Sequence, residues 1–336
     1  MAEAPDAEDG REPTLLERLG EAGAGATSMG RPPSRRRRAL IALLAALVAA
    51  FLALALADQW SRLPDIEWRL RPGWLALSVA ALVAFHAFHA QLWVMMLHAL
   101  GAPVTAARGW MVWSVTLLAR YVPANVALAV SRMAMAEREG VAKRISLASL
   151  VYELGFTFAG SAAVGAYFVI ALPQLQDEPA RWLVLLAPVI SLAALDPRIF
   201  RRLADVALRR LGREPLPLTL SRPRVLEFTA LFALSFVVAG VAVLAFAEGI
   251  HGVSAGDSAT VIGSYSVGFA VSVAAFVLPG GLGARETGLV AALSGVLPLT
   301  VAIAVAVAVR LIQMAIELLA AALTPLLARR LAPSAA

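Results

Sequence analysis

Cysteine is absent from this chain of 336 residues, lysine occurs once, at Lys143, and only 15% of the residues are charged. Without cysteine there is no disulfide framework, no thiolate metal site and no cysteine nucleophile. So little charge excludes an ordinary water-soluble domain, in which about 25% of residues are charged. Apolar residues take its place: they make up 60% of the chain, and the mean hydropathy is +0.76. The apolar runs are continuous and rich in Ala and Leu, unlike the short alternating segments of an outer-membrane barrel. Composition therefore defines an all-α polytopic membrane protein.

The formal net charge is +6, and nearly all positive residues are arginines set in blocks beside the apolar runs. Charge placed in this way is a topology signal, not a nucleic-acid surface. Residues 1–38 are polar, carry scattered acids and end in Arg35 to Arg38. They read as a disordered cytoplasmic tail. Residues 39–328 form the expected membrane domain, and 329–336 a short cytoplasmic tail. The charge-free run 39–57 suits a first span. Ala55 and Ala57 resemble a signal-cleavage pattern, but the 38-residue leader and the length of the run favour a retained helix.

Further apolar segments lie at 74–100, 109–131, 145–172, 180–195, 225–248, 259–297 and 299–327. Two of them contain breakers at their centres. The first is interrupted by Arg120-Tyr121-Val122-Pro123-Ala124-Asn125, the second by Leu278-Pro279-Gly280-Gly281-Leu282-Gly283-Ala284-Arg285-Glu286. The loop 197–224 carries eight arginines, and 132–144 carries Arg132, Arg138, Lys143 and Arg144. Both loops are cytoplasmic only if 109–131 enters and leaves on the same side. The same reasoning makes 259–297 a hairpin entering from the outside, although 259–278 alone is long enough to cross. The expected architecture is about six full spans plus two re-entrant broken-helix hairpins of opposite orientation, the pattern of an inverted repeat. Within 197–224, Ile199, Phe200, Leu203, Val206 and Leu211 fall near one helical face and Arg201, Arg202, Arg209 and Arg210 largely outside it. This is an amphipathic helix suited to a membrane surface.

At the two interruptions the sequence resembles the flippase-like transmembrane domain of the lysylphosphatidylglycerol synthase family. The resemblance rests on Arg120-Tyr121-Val122-Pro123, on Ser131-Arg132 and Gly140 before the helix with Leu150, Tyr152 and Glu153, on Leu278 to Glu286, and on Arg310. It covers roughly residues 36–328. The first loop continues Pro123-Ala124-Asn125 where the family usually has Pro-Gly. The resemblance implies movement of lipids, or lipid-linked head groups, across the bacterial cytoplasmic membrane. It implies no aminoacyl transfer, because that chemistry belongs to a soluble C-terminal domain that does not follow here, and the chain is expected to be a stand-alone, non-enzymatic member.

An arginine or aspartate at the bilayer centre costs about 2.5–3.5 kcal/mol on insertion scales. Arg120, Arg285 and Arg310 should therefore be paired, face a wet cavity or meet an anionic ligand. Glu153, Glu286 and Glu317 are the available carboxylates, and Arg310, Gln313 and Glu317 share a helical face. The segment Pro279 to Glu286 has the best rationale for a ligand: Gly280, Gly281 and Gly283 lead into a helix N-terminus, and Arg285 adds a fork of donors suited to phosphate. Tyr121 and Asn125 offer polar contacts at the first break, with Arg132 near its cytoplasmic mouth. Each of these residues has a purely structural alternative, as a buried ion pair or a tight turn.

His86 and His89 lie three residues apart without a third metal ligand and read as hydrogen-bonded packing. Trp60, Trp68, Trp74 and Trp182 sit at span ends, as interfacial anchors do. No H-E-x-x-H or Walker motif is present, and no cofactor is expected. The leading expectation is a lipid translocase with membrane lipids, anionic ones above all, as partners and both termini cytoplasmic. The alternatives are a non-catalytic partner of a lipid- or glycan-synthesising enzyme and an intramembrane lipid-modifying enzyme.

Overall fold

The computed structural model describes residues 69–102, 104–121, 127–172, 177–210, 219–274 and 283–330, and the side chain of Tyr121 is outside that description. Among them the secondary structure is entirely helical. The helices are α1 (Pro72–Ala99), α2 (Ala106–Leu117), α3 (Ala127–Arg138), α4 (Lys143–Ala171), α5 (Leu186–Leu195), α6 (Pro197–Arg210), α7 (Arg222–Ile250), α8 (Ser258–Ala274), α9 (Ala284–Leu293) and α10 (Leu299–Arg330). Short 3₁₀ segments, Leu118–Tyr121 and Pro179–Leu185, extend α2 and precede α5.

Four helices, α1, α4, α7 and α10, are long and apolar enough to cross a membrane. At 1.5 Å per residue each exceeds the roughly 30 Å hydrocarbon core. The first expected span, 39–57, lies outside the described residues. The expected span at 180–195 forms differently from the other four. Its seven-residue 3₁₀ segment runs into the ten-residue α5. A 3₁₀ helix rises about 2.0 Å per residue against 1.5 Å for an α-helix, so the two together reach about 29 Å. Pro188 supplies the cause, because it cannot donate to the Val184 carbonyl and its ring crowds that group. Leu183, Val189 and Ile190 are more than half exposed on this segment, as a lipid-facing element requires.

Two buried clusters fix which helix ends lie together. Leu100 after α1, Ala148 early in α4, and Leu220 and Val225 at the start of α7 share one cluster. Ile250 at the end of α7 shares another with Leu297 and Val301 at the start of α10. At that same end the backbone N–H groups of Arg69 and Arg71 donate to the carbonyls of Ile250 and Gly249, both at 2.9 Å. The segment containing α2 and α3 thus leaves α1 and reaches α4 at one end of the bundle. The segment containing α8 and α9 leaves α7 and reaches α10 at the other.

Among the described residues the longest of these four shorter helices, α8, has 17 residues and rises about 25 Å. The breaks between them, 122–126 and 275–282, contain the expected hinge Pro123 and lie outside the described residues. Contact between α7 and α8 depends on Gly240: a Cβ there would stand 2.1 Å from the Ile262 carbonyl oxygen. Small residues of this kind let helix backbones touch where lipid supplies no hydrophobic drive.

Candidate functional site

Of the three arginines expected to need partners, Arg120 and Arg310 are ion-paired, and Arg132 forms a further pair. Arg132, on α3, is 1% exposed, and its Nη1 donates a short hydrogen bond to Glu153 Oε2 on α4. Its Nε donates to Thr116 Oγ1 on α2 at 3.1 Å. The guanidinium lies 5.5 Å from the ring centre of Trp93 and 5.8 Å from that of Trp113, and the Trp113 indole N–H donates to Glu153 Oε1 at 2.8 Å. Arg132 is therefore enclosed. Both carboxylate oxygens of Glu153 are occupied, which is what makes a buried pair tolerable.

Arg120, in the 3₁₀ turn just before the first break, pairs through Nη2 with Glu317 Oε1 on α10. Two turns earlier on the same face of α10, Arg310 Nε lies 3.1 Å from Glu286 Oε1 in the first turn of α9. The expected face of Arg310, Gln313 and Glu317 is buried throughout, at 5%, 7% and 1% exposure. It is the surface on which both broken hairpins meet. The first hairpin presents a cation to it and the second an anion.

Gly283, at φ +83°, occupies the left-handed region that glycine adopts without a Cβ penalty, and it starts α9. Its N–H donates to Glu286 Oε2 at 2.9 Å. The sequence reading assigned this helix N-terminus to a ligand anion. Here one of its donors is already held by the protein's own carboxylate, which also balances Arg310. Arg285 turns the other way, with its guanidinium 4.5 Å from the centre of the Tyr265 ring. The Tyr265 hydroxyl in turn reaches Gln313 Oε1 at 3.4 Å. Among the described residues Arg285 forms no ion pair.

His86 and His89, on α1, stand between these groups. His86 Nε2 is 3.4 Å from Ser114 Oγ, His89 Nε2 is 2.8 Å from Ser235 Oγ, and both rings pack against aromatic neighbours. Arg120 and Arg285 lie within electrostatic reach of His89, and Glu317 within reach of His86.

The expected residues Asn125, Gly280 and Gly281, and the side chain of Tyr121, lie outside the described residues. The sequence reading missed Trp93, Trp113, Thr116 and Tyr265. Their signal was available: Trp93 and Trp113 sit inside apolar segments, not at span ends, and a buried indole N–H needs an acceptor. A groove of about 570 Å³ at the start of α1, lined by Leu70, Arg71, Pro72, Gly73, Trp74 and Leu77, is separate from the charged cluster.

The fold and the cluster define a polytopic helical membrane protein whose two broken helical hairpins carry charge to one buried face. The lysylphosphatidylglycerol synthase transmembrane region is the family whose model matches residues 40–321, most of the chain, and the protein belongs to that family. Membership puts it among membrane proteins of lipid-related function. No curated protein matches it.

Proposed function

We propose that the protein moves a lipid, or a lipid-linked head group, bearing an anionic group between the leaflets of the bacterial cytoplasmic membrane, without changing it chemically. The observation that carries this reading is the charge sum of the central cluster. Arg120, Arg132 and Arg310 are paired with Glu317, Glu153 and Glu286, whereas Arg285, next to the glycine-rich segment, forms no ion pair among the described residues. A partly buried cation at membrane depth without a carboxylate partner is costly unless it meets an anion for part of its cycle. A phosphate on Arg285 would gain a bidentate guanidinium contact in exchange for the Tyr265 ring.

In this reading the segments 109–131 and 259–297 are re-entrant, one from each side, with both termini cytoplasmic. The placement of their flanking helix ends at opposite ends of the bundle supports it. Glu286 acts as a resident anion at the α9 N-terminus: when a head group arrives it yields the Gly283 N–H and remains with Arg310. Glu317 and Arg120 form the corresponding latch for the first hairpin. Because α10 carries both latches, a rigid-body shift of α10 opens one side as it closes the other.

The test is translocation of a fluorescent anionic phospholipid in proteoliposomes. Arg285→Gln removes the charged donors and should slow transport about 10- to 100-fold, the equivalent of a lost hydrogen bond to a charged group. Wild-type rates in a folded Arg285→Gln protein would overturn the assignment.

A further inference from the structure

Helix α6 has no part in the charged cluster, yet it is fastened to the helices that build it. Asp196 caps its first turn, with Oδ1 accepting the Arg198 N–H at 3.0 Å, and Oδ2 accepts from Arg222 Nε at 2.8 Å, tying the start of α6 to the start of α7. Arg201 Nη2 donates to Thr219 Oγ1 at 3.1 Å. Phe200 is buried, its ring stacked on Tyr152 with centres 4.1 Å apart, and the Tyr152 hydroxyl accepts the Leu220 N–H at 3.2 Å.

The apolar face read from the sequence is therefore divided. Phe200 turns into the bundle, whereas Ile199 and Val206, seven residues apart and so two turns along one face, remain 43% and 51% exposed. Arg198, Arg201 and Arg202 are exposed beside them, and α6 holds five arginines against the single acid Asp205. This helix lies at the bundle end where α1 finishes and α4 and α7 begin, as the shared cluster of Leu100, Phe200 and Leu220 requires. Large exposed aliphatics flanked by arginines at a membrane-protein end suit one surface, the head-group layer of a leaflet carrying negative charge.

We propose that the outer face of α6 binds anionic lipid head groups of the leaflet it faces, and that the Phe200–Tyr152 stack transmits this binding to the neighbouring Glu153–Arg132 pair. The inward route is continuous. Tyr152 precedes Glu153 on α4, Glu153 holds Arg132 on α3, and α3 leads back into the first break. The inference concerns regulation of the proposed transport site, but neither of its parts depends on which cargo moves or on whether any does.

The native absence of cysteine makes the test direct. Val206→Cys, labelled with an environment-sensitive fluorophore on the full chain, is compared in nanodiscs of phosphatidylcholine and of phosphatidylcholine mixed with phosphatidylglycerol. A blue shift confined to the mixed discs, reversed by high salt and strongly reduced by Arg198→Gln with Arg202→Gln, is expected. Identical spectra in the two discs would overturn the docking surface. For transmission, backbone hydrogen exchange over residues 127–138 is followed in the same two discs. It should change with lipid in the wild type and lose that response in Phe200→Leu, which removes the stack but keeps an apolar side chain. An exchange pattern indifferent to lipid in the wild type, or equally responsive in Phe200→Leu, would overturn the link. Loss of transport with both responses intact would count against the transport reading alone.

Discussion

The two broken hairpins carry similar residues and use them differently. In the first, both arginines end on carboxylates of long helices, Arg120 on Glu317 and Arg132 on Glu153, with Thr116 and Trp113 completing the second pair. In the second, the arginine and glutamate adjacent in sequence part company. Glu286 caps its own helix and pairs with Arg310, while Arg285 rests on the Tyr265 ring. The first hairpin is electrostatically closed and the second keeps one cation in reserve. A buried pair that satisfies itself locks structure, whereas a cation held by an aromatic face is easily transferred to a stronger acceptor.

This contrast separates stability from activity. Arg132→Met leaves the partly buried Glu153 without its partner and should cost about 3 kcal/mol, read as a large fall in thermal stability in detergent. Adding Glu153→Gln should recover much of that loss, and additive losses instead would show that the pair does not act as a unit. Trp113→Phe removes one neutral donor from the Glu153 carboxylate and should cost about 1.5–3 kcal/mol in the same assay. Arg285→Met, on the second hairpin, gives up only a cation–π contact, worth about 0.5–2 kcal/mol, yet should abolish enrichment of anionic lipid. A stability loss as large as that of Arg132→Met would erase the distinction between the hairpins.

The smallest effect lies outside both. The Asp196 carboxyl is held below the usual carboxylate range by the Arg198 backbone N–H and then by Arg222. A depressed folded-state value means that its contribution is present at neutral pH, above the unfolded value, and is lost as pH falls through the folded value. Hydrogen exchange at the start of α6 should therefore quicken in strong acid, and Asp196→Asn should show the faster exchange already at pH 7.

Much of this was legible in the sequence, for identifiable reasons. Long apolar runs specified α1, α4, α7 and α10, because only their length and hydropathy matter. Pro and Gly at the centres of two apolar segments fall in stretches outside the described residues, on either side of which α2 and α3, and α8 and α9, are separate helices. The need of Arg120 and Arg310 for partners was clear from insertion cost, whereas the pairing of Arg132 and the aromatic contact of Arg285 were not. Which cation meets which anion was not legible: Arg120 and Glu317 are separated by 197 positions, and only packing of the first hairpin on α10 joins them. The role of Glu286 could have been read, since it stands three residues after Gly283, the spacing of a side chain reaching back to a helix N-terminus. The 3₁₀ start of the apolar segment 180–195 was missed because apolar pattern does not distinguish 3₁₀ from α geometry.

The central claim is that Arg285 is the reserve cation of the cluster and meets an anionic head group. Its most direct test is mass spectrometry of the lipids that copurify with the wild type and with folded Arg285→Met. The account predicts one anionic lipid or lipid-linked phosphate enriched over bulk membrane in the wild type and reduced to the bulk level in the variant. Equal enrichment in both proteins would contradict it.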